Sequence, residues 1–207
     1  MFRSRMFLKA LVILGLLGLG ATPAPAADTA AASAAVERFH GALLANMKDG
    51  KALGFDGRKQ KLEPVIKDTF DLPAMARVST GAAWTKMPED ERAKVIAAFT
   101  DWTVASYAAN FKEWDGEAFV TKGAREDGKG NIMVETALNL KNAAPVAFTY
   151  RMRDSGGAPR IVDIFLDGAV SQMAMHRSQF AAALSAGGVA NLLKHMQDLT
   201  AKAKEGA

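Results

Sequence analysis

The chain has 207 residues, 49% of them hydrophobic and 23% charged, with no cysteine. That size and make-up suit one domain and exclude a disulfide-stapled mini-protein, a disordered tail, thiolate catalysis and zinc–cysteine sites. Arg3, Arg5 and Lys9 supply most of the formal net charge of +4, so the rest of the chain lacks the concentrated positive field that nucleic acid requires.

Those three basic residues precede an apolar run, Ala10 to Ala21, and then Ala24-Pro25-Ala26. A positive start, a short apolar middle and small residues two apart describe a secretory signal peptide at 1–26. The run is shorter than the ~20 residues that span a bilayer. Residues 27–207 are then expected to be a single exported domain in a bacterial periplasm.

The first mature helix carries Val36, Phe39, His40, Leu43, Leu44 and Met47 on one face, and Asp49-Gly50 ends it. Gly54 to Gly57 is expected to be a loop, with a second helix from Arg58 towards Phe70. Asp71 is placed to cap a short helix, with Pro73 in its first turn and Gly81 at its close. Pro88-Glu89-Asp90-Glu91 opens the longest helix, with its acids at the positive end of the dipole. Ile96, Phe99, Thr103, Tyr107, Asn110, Phe111 and Trp114 share its inner side, flanked by Trp102.

After Asp115-Gly116 the period falls to two. Ala118–Lys122, Asn131–Leu140, Val146–Arg153 and Arg160–Leu166 read as four strands joined by short turns, hence an antiparallel meander. Two helices follow, Val170 to Ala186 and Val189 to Lys202, divided by Gly187-Gly188. Helices, strands and helices in that order predict an α+β domain with helices packed on the sheet.

The usual catalytic signatures are missing. His40, His176 and His195 have no ligand partner at helical spacing, and no nucleophile elbow, phosphate loop or dinucleotide fingerprint occurs. No metal or cofactor is expected. Asp163 and Asp167 share a strand face and are the candidate acids, with a hydrogen-bonding and turn role as the plainer reading. Ten methionines and many aromatics suit either ordinary packing or a cavity for variable apolar ligands.

Two stretches resemble the MlaC/toluene-tolerance family of periplasmic lipid carriers. One is Phe70-Asp71-Leu72, Met75-Ala76, Gly81, Trp84, Glu91-Arg92, Phe99 and Tyr107-Ala108. The other is Tyr150, Ile161, Asp163, Gly168, Ser171, Arg177-Ser178-Gln179-Phe180 and Leu192-Leu193. Pro159 stands where the family usually has tryptophan, and Gly168-Ala169-Val170-Ser171 is one residue longer than the usual turn. With Met175-His176-Arg177-Ser178, that turn looks more like the hopanoid-biosynthesis-associated branch.

The resemblance implies a cystatin-like or NTF2-like four-stranded sheet, an N-terminal helical lobe and an apolar cavity holding lipid tails. It implies transfer of phospholipid or hopanoid between inner and outer membrane, docking on membrane transporter complexes, and no covalent chemistry. One acyl chain of ~16 carbons withdrawn from water gains on the order of 12 kcal/mol, so such a carrier needs apolar volume rather than catalytic groups. The expected walls are Phe39, Leu43, Met75, Trp84, Phe99, Tyr107, Phe111, Val134, Tyr150 and Ile164, with Phe165 as the alternative to Ile164. Arg151 and Arg160 are the expected head-group or partner contacts. The competing readings are an NTF2-like isomerase or dehydratase using Asp163 with Tyr150 or His176, and a structural adaptor of a membrane complex.

Overall fold

A computed structural model describes residues 28–207; the expected signal peptide lies outside them. Among the described residues, five α-helices and a five-stranded antiparallel sheet make an α+β fold. Helix α1 (Thr29–Lys48) starts where the Asp28 carboxylate accepts from the Ala31 amide at 2.9 Å. Helix α2 (Gly50–Thr69) is interrupted only at Gly54, whose φ of 60° falls in the left-handed region. The expected loop at 54–57 is therefore a one-residue break inside a helix.

Helix α3 (Leu72–Thr80) is capped as its sequence predicts, with Asp71 accepting from the Ala74 amide at 3.0 Å. A 3-10 turn (Gly81–Lys86) leads into α4 (Glu89–Asn110). The carboxyl end of α4 leaves carbonyls without helical donors, and neighbouring helices supply them. Buried Arg58 donates Nε to the Ala108 carbonyl at 2.8 Å, and Asn46 donates Nδ2 to the Phe111 carbonyl at 3.1 Å. Two polar side chains thus tie α1 and α2 to the end of α4.

The strands are β1 (Ala118–Glu126), β2 (Ile132–Asn139), β3 (Val146–Asp154), β4 (Pro159–Leu166) and β5 (Val170–Ser171), paired in chain order. The expected count of four is corrected by β5, a two-residue edge that turns back on β4. It forms because Asp167 and Gly168 both take positive φ, 49° and 73°, in a turn too tight for most residue types.

One face of the sheet is set by the register Val134↔Tyr150 and Tyr150↔Ile164. Beyond Arg151↔Asp163 the pairing shifts to Met152↔Ile161, leaving Val162 as an extra residue. Such a bulge lets residues three apart share a face. Ile161 and Ile164 therefore both look inward, which strict alternation forbids. The helices cover this face: α1 lies over β1 and β2, and α4 packs against α2 and α5.

Helix α5 (Gln172–Glu205) is one run bent at Gly187 and Gly188, the latter at φ 63°. Asn191 donates to the Ala183 carbonyl across the bend at 2.9 Å. Trp114, expected on the inner side of α4, lies beyond that helix and is 46% exposed. Its indole donates to the Glu117 carbonyl at 2.9 Å, and Lys48 stands over its ring.

Candidate functional site

Between α4, the first half of α5 and the inner face of β3 and β4 lies an open pocket of about 440 Å³. Helix α4 contributes Phe99, Trp102, Thr103, Ser106, Tyr107 and Asn110, residues spaced to share one side of the helix. Strand β3 contributes Val146, Phe148 and Tyr150 at every second position, and β4 adds Ile164 and Leu166 through the register above. Gln172, Met173 and His176 on α5 close the far side.

Six of the expected wall residues, Met75, Phe99, Tyr107, Phe111, Tyr150 and Ile164, meet here. Ile164 faces the pocket and Phe165 the opposite side, because only Ile164 pairs with Tyr150. Phe39, Leu43, Trp84 and Val134 do not line it. Phe39 lies one layer deeper, edge-on to Phe70 and Tyr107 at 5.1 and 5.3 Å between ring centroids. Leu43 and Val134 are fully buried in the same core. Trp84, in the 3-10 turn, is half-buried against the core away from the pocket, beneath the Arg92 guanidinium.

Sequence reasoning left out Phe148, Leu166 and Gln172 as walls, although the alternation of Val146, Phe148 and Tyr150 along β3 was a usable signal. The expected cationic contacts stand elsewhere. Arg151 is on the outer face, 4.7 Å over the Phe165 ring and 3.6 Å from Asp163. Arg160 donates to the Lys67 carbonyl at 3.3 Å. Neither reaches the pocket, because each lies on an outward position of its strand or at its start.

The pocket is aromatic and electrically neutral. Burial pushes the phenols of Tyr107 and Tyr150 above the ordinary tyrosine range. The Tyr150 hydroxyl is hydrogen-bonded to His40 Nε2 at 2.9 Å, and His40 stacks on Phe119 at 3.9 Å. Burial holds His40 down at about 4 and depresses His176 as well.

Asp163 points away from this space, since its neighbour Ile164 takes the inward side. Its buried carboxylate accepts from the Ile164 amide at 2.8 Å, the Ser171 hydroxyl at 2.7 Å and the Met173 amide at 3.2 Å. Ser171 in turn caps α5 by accepting from the Ala174 amide at 3.0 Å. The acid thus anchors the start of the helix that walls the pocket. Asp163→Asn is expected to cost about 2 kcal/mol, since an NH2 replaces the oxygen that accepts from the Ser171 hydroxyl and faces the Arg151 guanidinium. Urea denaturation reads this directly, and unchanged stability would contradict the anchoring role. Asp167, the other candidate acid, donates its amide to the Ala147 carbonyl and begins the turn to β5.

The family described as "MlaC protein" matches residues 37–198. No curated protein matches the chain. Among solved structures, a phospholipid-binding protein from Ralstonia solanacearum, in complex with a phospholipid, is similar with a TM-score of 0.73 and 21% identity. That match covers 83% of this chain and 98% of the other.

Proposed function

Because the chain belongs to the MlaC family, we propose that it is a periplasmic lipid carrier that takes up a phospholipid or hopanoid and moves it between inner and outer membrane. The observation that carries this reading is the pocket of about 440 Å³, aromatic and, among the described residues, without Lys, Arg, Asp or Glu on its walls. Hydrocarbon enclosed there leaves water, while the two tyrosines and His176 stay uncharged near neutral pH. The solved neighbour, itself bound to a phospholipid, supports the same use of the fold. The commitment of Asp163 to three hydrogen bonds supports binding without covalent chemistry.

In this reading residues 1–26 direct export, and membrane transporter complexes deliver and receive the cargo. The longer turn at Gly168-Ala169-Val170-Ser171 supports the hopanoid-associated branch. Native mass spectrometry of gently purified protein is expected to show one lipid per chain. A preparation that is uniformly lipid-free and takes up none from vesicles would overturn the proposal.

A further inference from the structure

With no cysteine in the chain, the sulfur open to two-electron oxidants is that of methionine. Among the described residues, seven of the eight methionines are at most 8% exposed, whereas Met175 is 44% exposed. Met173, two residues away on the same helix, is 4% exposed and lines the pocket. The first turn of α5 thus carries one shielded thioether and one open to water.

The open thioether is tied to the lipid site. Gln172 lines the pocket and donates its side-chain amide to the Met175 sulfur at 3.8 Å. Residues three apart adjoin on a helix surface, so Met175 flanks the pocket beside Gln172. A thioether accepts a hydrogen bond only weakly, and Met175 therefore adds apolar surface at this edge. Its sulfoxide is polar and carries an oxygen that both Gln172 and water can bond.

We propose that Met175 is a peroxide-sensitive modification site whose oxidation loosens the hold of the pocket on its lipid. This regulation rests on the carrier reading above. The sulfur gives two electrons to hydrogen peroxide: an S–O bond forms, the O–O bond breaks, and the second oxygen leaves with both protons as water. The new oxygen holds the Gln172 amide and brings water to the edge of the pocket. Hydrocarbon lying against that edge must strip this water, which costs free energy, or give up the contact. Bound lipid leaves sooner in either case. The core thioethers are shielded from the oxidant, so release does not require unfolding.

The test treats the purified protein with hydrogen peroxide for increasing times and stops the reaction with catalase. Cleavage after lysine and arginine leaves Met173 and Met175 in one peptide, 161–177, where fragment masses tell them apart. Met175 is expected to oxidise at least about tenfold faster than Met173 and the other buried methionines. Equal rates would overturn the site.

The second measurement incubates treated and untreated protein with vesicles of dioleoylphosphatidylglycerol containing diplopterol, and counts retained lipid by native mass spectrometry. Protein oxidised at Met175 alone is expected to retain lipid at least threefold less well, with an unchanged thermal melt. Equal retention would overturn the coupling to the pocket. Met175→Leu, an apolar change at an exposed position, is expected to retain lipid equally before and after peroxide. A loss in that variant matching the parent's would assign the effect to another group and overturn the proposal. Untreated protein that binds neither lipid overturns the carrier reading and the regulation with it, whereas the mapping of Met175 is read without any lipid.

Discussion

Phe148→Glu is expected to weaken lipid retention at least 100-fold while leaving the protein folded. Phe148 lies on β3, lines the pocket and is only partly buried, so an empty pocket leaves a carboxylate at this position in contact with water. Entry of hydrocarbon removes that water and leaves the charge without a partner, since no lysine or arginine among the described residues lines the pocket. The penalty for an unpaired buried charge is several kcal/mol, and about 1.4 kcal/mol is a factor of ten in affinity. Thr149→Glu is the control. Its side chain turns to the opposite face of the sheet, over a second groove, and retention should stay within a few-fold of the parent. Lipid counted by native mass spectrometry, with a thermal melt to confirm folding, checks both. Undiminished retention in Phe148→Glu would show that lipid does not occupy this pocket. A charge at Val134 is a poorer probe, because that residue is fully buried behind the pocket and its substitution disrupts the core first.

Acidification is expected to remove on the order of 3 kcal/mol of stability through His40 alone. Burial lowers this imidazole from 6.5 to about 4, while the unfolded chain restores the ordinary value. Between those limits the unfolded state binds the proton more readily than the folded one. Stability is therefore full above about pH 6.5 and falls as the pH drops towards 4, by roughly 1.4 kcal/mol per unit of pKa difference. Protonation also places a charge between Phe119 and the Tyr150 hydroxyl, the two groups that hold the ring. The double variant His40→Phe/Tyr150→Phe keeps the stacked arrangement and removes both polar partners. Its stability curve between pH 7 and 4 should be flatter than the parent's by that amount. Parallel curves would show that His40 does not titrate on unfolding. Carboxylates elsewhere affect both proteins alike, so the difference between the curves isolates the histidine.

Much of this arrangement was readable from residues alone, and each failure has its own physical cause. Local chemistry was legible: the Asp71 cap, the alternation along β3 and the antiparallel order all follow from short-range rules. The inner side of α4 was also correctly chosen, since Phe99, Thr103, Tyr107 and Asn110 do turn towards the pocket. Depth was not legible. A helical face shows direction but not how many layers lie beyond it, so Phe39 and Leu43 were expected at a surface that Phe70 and Tyr107 in fact provide. The parity of β4 could not be read either, because a bulge at Val162 leaves no mark in a strand that is apolar on both sides. The direction of Trp84 could not be read, because a short 3-10 turn has no sustained apolar period to set a face.

The bend in α5 has a mechanical result of its own. Gly187 and Gly188 interrupt the ladder of amide-to-carbonyl bonds, so the helix holds two ladders rather than one continuous rod. Unwinding is cooperative only along an unbroken ladder. Fraying that begins at Ala207 therefore runs out at the glycine pair. The stretch from Gln172 to Ala186, moored at its own start through Ser171 and Asp163, keeps its shape when the tail comes loose.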